Sequence, residues 1–169
     1  IIDDVITCVA RKQTPVILTR FKEHAKFLHD ALKEKADHVF LLYGDNSDKE
    51  NAEIRVKLKQ IPENESLILV ATGQKIGEGF DFPRLDVLML AAPVSFEGRL
   101  EQYVGRLNRD YVGKEAVYVY DYIDSHVRYF DKMYAKRLRT YRKMGFSIWT
   151  QELQPKQIIN AIFDSVNYT

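Results

Sequence analysis

Apolar residues arrive along this chain in two rhythms. Short, nearly unbroken runs at Val16 to Thr19, His38 to Tyr43, Leu67 to Ala71, Val87 to Ala91 and Ala116 to Tyr122 read as strands. Between them, apolar residues recur at three- and four-residue spacing. Phe21, Ala25, Leu28 and Leu32 share one helical face, and Ile54, Leu58 and Ile61 form the inward stripe of the charged helix Asp48 to Gln60. A further helix is expected from Phe96 to Asn108. Gly44-Asp45-Asn46 closes the second strand, and Ile61-Pro62-Glu63-Asn64 stops the charged helix. Strands without polar alternation are covered on both faces, so the pattern predicts a mainly parallel sheet layered between helices. Ligand groups in such sheets collect on loops at the carboxyl ends of the strands.

The segment after the last strand is distinct. Val127, Phe130, Tyr134, Leu138 and Tyr141 make an apolar stripe, with Arg128, Lys132, Lys136, Arg139, Arg142 and Lys143 opposite it. Gly145 is expected to cap this helix at its C-terminus. A final helix is expected after Pro155, with Ile158, Ile159, Ile162 and Phe163 inward. The basic face reads as the solvated side of a helix covering the sheet. The other reading is a grip on nucleic acid, with Tyr129 or Tyr141 stacking on bases.

Composition narrows the class. With 46% hydrophobic and 29% charged residues the 169-residue chain can bury a sizeable core, which excludes a disordered segment. A net charge of +1 gives no global attraction to nucleic acid, so any such interface rests on local patches. No apolar run is long enough for a membrane-spanning helix. The lone cysteine, Cys8, cannot form an internal disulfide, which suits a reducing cytoplasm; it reads as a half-buried packing residue. His24, His29, His38 and His126 lack ligand spacing, so no metal site is expected.

Candidate chemistry sits in two stretches. Ala71-Thr72-Gly73-Gln74-Lys75-Ile76-Gly77-Glu78-Gly79-Phe80-Asp81-Phe82-Pro83 follows one strand, and Gln102-Tyr103-Val104-Gly105-Arg106-Leu107-Asn108-Arg109 closes a helix. Arg106 and Arg109 are expected on one helical face, converging on one point, where they can neutralise charge on a transferred phosphoryl group. A solvated basic helix end is the alternative. Gly105 leaves the backbone bare near a ligand. Asp81 is placed to accept from a ribose hydroxyl, or else belongs to a capped turn without a ligand. Glu78 is the other carboxylate expected in the cleft. No G-x-x-x-x-G-K-[ST] phosphate loop occurs anywhere in the chain. Together with an opening at Ile1 rather than a methionine, that leads to the expectation of a fragment of a longer protein; propeptide cleavage would look the same.

These stretches, in this order and spacing, resemble the second RecA-like domain of superfamily 2 helicases and translocases. Ala71 to Pro83 resembles motif V, Gln102 to Arg109 motif VI and Val16 to Arg20 the motif IV strand, with Leu42 to Asp45 similar to the strand and turn that follow. The match spans about Thr14 to Asp124. Gln102 at the head of motif VI, where DEAD-box RNA helicases carry histidine-arginine, is nearer the type I and III restriction motor subunits and related bacterial DNA helicases. The tail Val119 to Asp124 and Met133 to Gly145 resembles bacterial and phage members of that branch.

The resemblance implies a three-layer RecA-like α/β domain over residues 1–125, with 1–13 leading in from a preceding domain, and a basic helical extension over 126–169. It implies that Arg106 and Arg109 reach the γ-phosphate of ATP with Mg2+ held mainly by an N-terminal RecA-like domain carrying the Walker motifs. Gln102, Gly105, Gly79 and Asp81 then face the nucleotide, or couple it to motif VI. Thr19, Arg20, Thr72 and Gly73 touch the nucleic-acid backbone. Gln74-Lys75 replaces the aspartate often seen in DEAD-box members, which puts an RNA-specific contact there in doubt, and DNA is the expected partner ahead of RNA. A cytoplasmic protein with a nuclease or repair partner, and a fragment inactive by itself, complete the expectation. The alternative is a stand-alone nucleic-acid-binding or regulatory module that never hydrolyses ATP.

Overall fold

The computed structural model describes residues 1–73, 76, 80–92, 97–123 and 127–149. Helix α1 (Ile2–Ala10) leads into β1 (Pro15–Thr19), α2 (Lys22–Leu32), β2 (His38–Leu42), α3 (Asp48–Gln60) and β3 (Leu67–Thr72). Then follow β4 (Val87–Leu90), α4 (Glu97–Leu107), β5 (Tyr118–Asp121) and α5 (Arg128–Lys143). The five strands form one parallel sheet in the order β2-β3-β1-β4-β5. This is the parallel sheet layered between helices that the apolar runs predict, and the RecA-like α/β architecture that the resemblance implies; every expected strand is present within a few residues of its expected bounds.

The unbroken apolar runs arise because both sheet faces are covered. Along β1, β3 and β4 alternate residues serve opposite cores. Val16, Leu18, Leu67, Leu69, Leu88 and Leu90 pack with Leu58 of α3, Leu100 and Val104 of α4 and Tyr141 of α5. Ile17, Ile68, Val70, Val87 and Met89 pack with Val5 and Cys8 of α1 and Ala25, Leu28 and Leu32 of α2. Helix α1 is thus seated in the core: Cys8 is fully buried, its thiol pushed up by burial, rather than half-buried.

Helix α5 corrects the sequence pattern. Its buried residues are Met133, Arg137, Thr140 and Tyr141, whereas Val127 is exposed and Phe130, Tyr134 and Leu138 are only half-buried. The helix is rotated so that Arg137 faces the sheet. There Nε and Nη2 donate to the two Asp121 carboxylate oxygens at 2.6 and 2.9 Å, and the Tyr141 hydroxyl donates to the same carboxylate at 2.9 Å. Arg128, Lys132, Lys136, Arg139, Arg142 and Lys143 all lie exposed.

The end of α5 follows expectation. Gly145 takes φ +82°, Phe146 N–H donates to Tyr141 O at 3.0 Å and Gly145 N–H to Arg142 O at 3.1 Å, a Schellman cap. The Phe146 ring contacts Tyr141 edge-on. The helix expected after Pro155 lies outside the described residues.

Candidate functional site

The described candidate residues fall into two groups, one at the carboxyl ends of β1 and β3 and one around the end of α4. Thr19 and Thr72 end β1 and β3 and are register partners, so Thr19, Arg20, Thr72 and Gly73 share one carboxyl-end rim. Both threonine side chains are buried, at 3% and 7% exposure, whereas Arg20 is exposed. Thr19 Oγ1 accepts from Phe21 N–H at 3.3 Å and pairs with His24 Nδ1 at 3.1 Å, closing the turn into α2. Burial holds the His24 imidazole below its usual pKa. The Arg20 guanidinium lies 5.3 Å over the exposed Phe21 ring.

Tyr103 supports this rim from below, a role the sequence did not flag. Its hydroxyl donates to Gly73 O at 3.0 Å, and a Cβ at position 73 would stand 2.5 Å from the Tyr103 hydroxyl oxygen. Glycine is therefore required by close approach of a side chain, not by backbone angle. Desolvation pushes the Tyr103 phenol up, against the lowering charges of Arg99 and Arg106, and it stays protonated to donate. A buried tyrosine on an inward helical face needs a partner for its hydroxyl, which is the only signal the sequence carries.

The second group gathers where α4 ends. A helix joining two parallel strands runs back from the carboxyl end of one to the amino end of the next, so the last turn of α4 lies toward the amino ends of β4 and β5. Arg106, in the last turn of α4, and Arg109, past its end, thus lie beyond the carboxyl-end loop and not in it. Nor do they share a helical face: α4 stops at Leu107, and Arg109 lies beyond it. They converge all the same. Arg106 Nη1 donates to Phe80 O, and Arg109 Nη1 stands 3.1 Å from Asp81 Oδ1. The two ends of the chemistry-bearing stretches are therefore bonded to each other at residues 80–81.

Arg109 and Asp81 are each 53% exposed, so their pair contributes about 0–1 kcal/mol and opens readily. Gln102 and Gly105 are exposed on the same helix, and the position a Gly105 Cβ would take is open space. Arg109 also borders an open groove of about 810 Å³, lined by the 108–112 and 114–117 segments and by Met144, Gly145 and Phe146. Arg84 pins the approach to β4 by donating to Pro62 O at 3.1 Å, Glu63 O at 3.3 Å and Glu65 O. Gly79, Glu78 and His126, all singled out from sequence, lie outside the described residues. Among the described residues no cluster of three or more His, Cys, Asp or Glu side chains could hold a metal ion, and no helix is long and apolar enough to cross a membrane.

Residues 1–110 match the profile of the helicase conserved C-terminal domain. The putative helicase 161L of Invertebrate iridescent virus 6 is 33% identical over 118 residues, covering 69% of this chain and 22% of that protein. The transcript termination protein A18 of Yaba-like disease virus is 32% identical over 99 residues, covering 59% of this chain and 20% of that protein. The chain thus spans about a fifth of the length of these relatives. Among solved structures, T4 UvsW superposes with a TM-score of 0.65 at 23% identity, over 84% of this chain and 31% of that one. Domain 2 of the DEAD-box helicase Mss116p, bound to an RNA duplex, superposes with a TM-score of 0.68 at 16% identity, over 99% of this chain and 64% of that one. With the parallel sheet, the paired stretches at residues 80–81 and 106–109 and this family match all in agreement, the chain belongs to the helicase conserved C-terminal domain family.

Proposed function

We propose that this chain is the C-terminal motor domain of an ATP-dependent superfamily 2 DNA helicase or translocase, of the branch that holds the type I and III restriction motor subunits and related bacterial helicases. The observation that carries the reading is the convergence of Arg106 and Arg109 on residues 80–81, away from the sheet's own carboxyl-end rim. Arginines placed there face a ligand held by another body, which fits ATP with Mg2+ bound by an N-terminal RecA-like domain of the same protein. The donor set agrees: two guanidinium groups suit phosphate oxygens, while this sequence has no phosphate loop to hold the nucleotide alone.

Bound there, ATP supplies the phosphoryl transfer that drives the motor. Arg109 exchanges a weak, half-exposed pair with Asp81 for the γ-phosphate, and Arg106 stays anchored on Phe80 O to orient the turn. Gln102, Gly105 and Asp81 line the nucleotide side, and the resemblance gives Gly79 a role there too. On the other rim Arg20 grips a backbone phosphate, with Thr19, Thr72 and Gly73 shaping the turn beneath it. Closing and reopening the two domains moves this grip relative to its counterpart on the N-terminal domain. Gln102 at the head of its motif, and the absence of an aspartate at Gln74-Lys75, support DNA over RNA and the restriction-motor branch. A reducing cytoplasm and an attached nuclease or repair activity complete the proposal.

The rim assignment has its own test. In the full-length protein, Arg20→Ala is expected to weaken DNA binding evenly across sequences, and to reduce the slope of log K against log salt by about one. An unchanged slope takes Arg20 out of the grip.

A further inference from the structure

Arg109 poses a mechanical problem, because it lies past the end of α4 and its side-chain pair with Asp81 is half-exposed. Something else must hold its backbone. The segment from Asn108 to Lys114 turns back on itself: Gly113 takes φ +81°, a left-handed conformation that glycine adopts without strain, and Lys114 N–H donates to Tyr111 O at 3.1 Å. That turn carries the Lys114 side chain under the end of α4. Its ammonium donates to Leu107 O at 2.8 Å, to Arg109 O at 3.0 Å and to Pro83 O.

An ammonium has three donors, and here three backbone carbonyls take them. Leu107 O is one of the orphan carbonyls that every helix end leaves. Pro83 O lies two residues past Asp81, and Arg109 O belongs to the arginine itself. One side chain therefore ties the backbone of Arg109 to the segment two residues past Asp81. Burial pulls the Lys114 ammonium below the usual lysine range, while the charges of Asp86 and Asp110 oppose that shift.

We propose that Lys114 is a positioning residue for phosphoryl transfer, setting where Arg109 stands when it leaves Asp81 for phosphate. The proposal rests on the motor reading above and adds to it a residue outside both chemistry-bearing stretches. Without Lys114 the arginine keeps its charge but loses its fixed origin, and misplacement of a charge-stabilising group by about 1 Å costs up to about a hundredfold in rate.

The test is steady-state ATP hydrolysis by the full-length protein at saturating DNA. Lys114→Met keeps the aliphatic stem and removes all three donors. We expect kcat to fall about ten- to a hundredfold with KM for ATP within about twofold. The double variant Arg109→Ala with Lys114→Met is expected to be no slower than Arg109→Ala alone, since the lysine acts through the arginine. Lys114→Gln, which keeps side-chain N–H donors on a shorter stem, is expected to fall between wild type and Lys114→Met, and serves if the methionine variant fails to fold. Losses that multiply in the double variant overturn the proposal. So does a lowered Tm with the kcat of the folded fraction intact. A slow Arg109→Ala beside a normal Lys114→Met overturns the lysine's role alone. A normal Arg109→Ala, or a wild type without turnover, overturns the motor reading and the proposal together.

Discussion

Replacing Arg109 by alanine in the full-length protein is expected to lower kcat for ATP hydrolysis about a thousandfold or more while leaving nucleotide affinity within a few-fold, because an arginine finger stabilises charge that develops only in transfer. The geometry makes Arg109 the stronger candidate of the pair. Arg106 is partly buried and tied to Phe80 O, which keeps it near the turn, whereas Arg109 is half in solvent with a partner it can leave cheaply. Arg109→Lys is expected to recover little, since an ammonium cannot reproduce the planar donor fork. Turnover and the affinity of a non-hydrolysable ATP analogue, measured on the same variant, separate the two effects. A purely structural pairing with Asp81 predicts instead that Asp81→Ala and Arg109→Ala behave alike, with turnover near wild type.

The second large effect concerns stability. Arg137 is 3% exposed, and Asp121 at the end of β5 neutralises it through two hydrogen bonds while also accepting from Tyr141. Asp121→Ala removes the two charge-assisted bonds that neutralise this buried guanidinium, for which a destabilisation of up to about 3–5 kcal/mol is expected. The double replacement Asp121→Ala with Arg137→Met is expected to recover much of that loss, because a buried ion pair gains little over well-packed apolar groups. Urea unfolding of the chain reads both. A loss under about 1 kcal/mol for Asp121→Ala would mean that water reaches the arginine. The trio fixes the rotation of α5 against β5, and hence the Schellman end at Gly145 and Phe146 that lines the groove beside Arg109.

The same trio shows where the sequence stops being legible. The strands of the sheet were readable because burial on both faces leaves a run with no competing pattern, as in Leu67 to Ala71. Helix α5 was not. Its apolar residues offered a seam through Val127, Phe130 and Tyr134, but the true seam holds Arg137 and Thr140, and the partner that makes a buried arginine tolerable is Asp121 on another element. No local periodicity reports such a pair.

The candidate site divides in the same way. That residues 71–83 and 102–109 belong together was legible, and the Arg109–Asp81 pair joins them. The end of α4 was legible to within a residue, Asn108 expected against Leu107 observed, but the lysine beneath it was not, since Lys114 reaches Leu107 O and Arg109 O from seven and five residues further on. Tyr103 beneath Gly73 was equally hidden, because the constraint on that glycine comes from a side chain thirty residues away.

The central claim is that this chain is half of a nucleotide-driven motor. The most direct test is ATP hydrolysis by this chain beside the full-length protein, each with and without single- and double-stranded DNA. The account predicts no turnover from the chain alone and DNA-stimulated turnover from the whole. Silence from both would leave a nucleic-acid-binding module, and turnover by the chain alone would contradict the account outright.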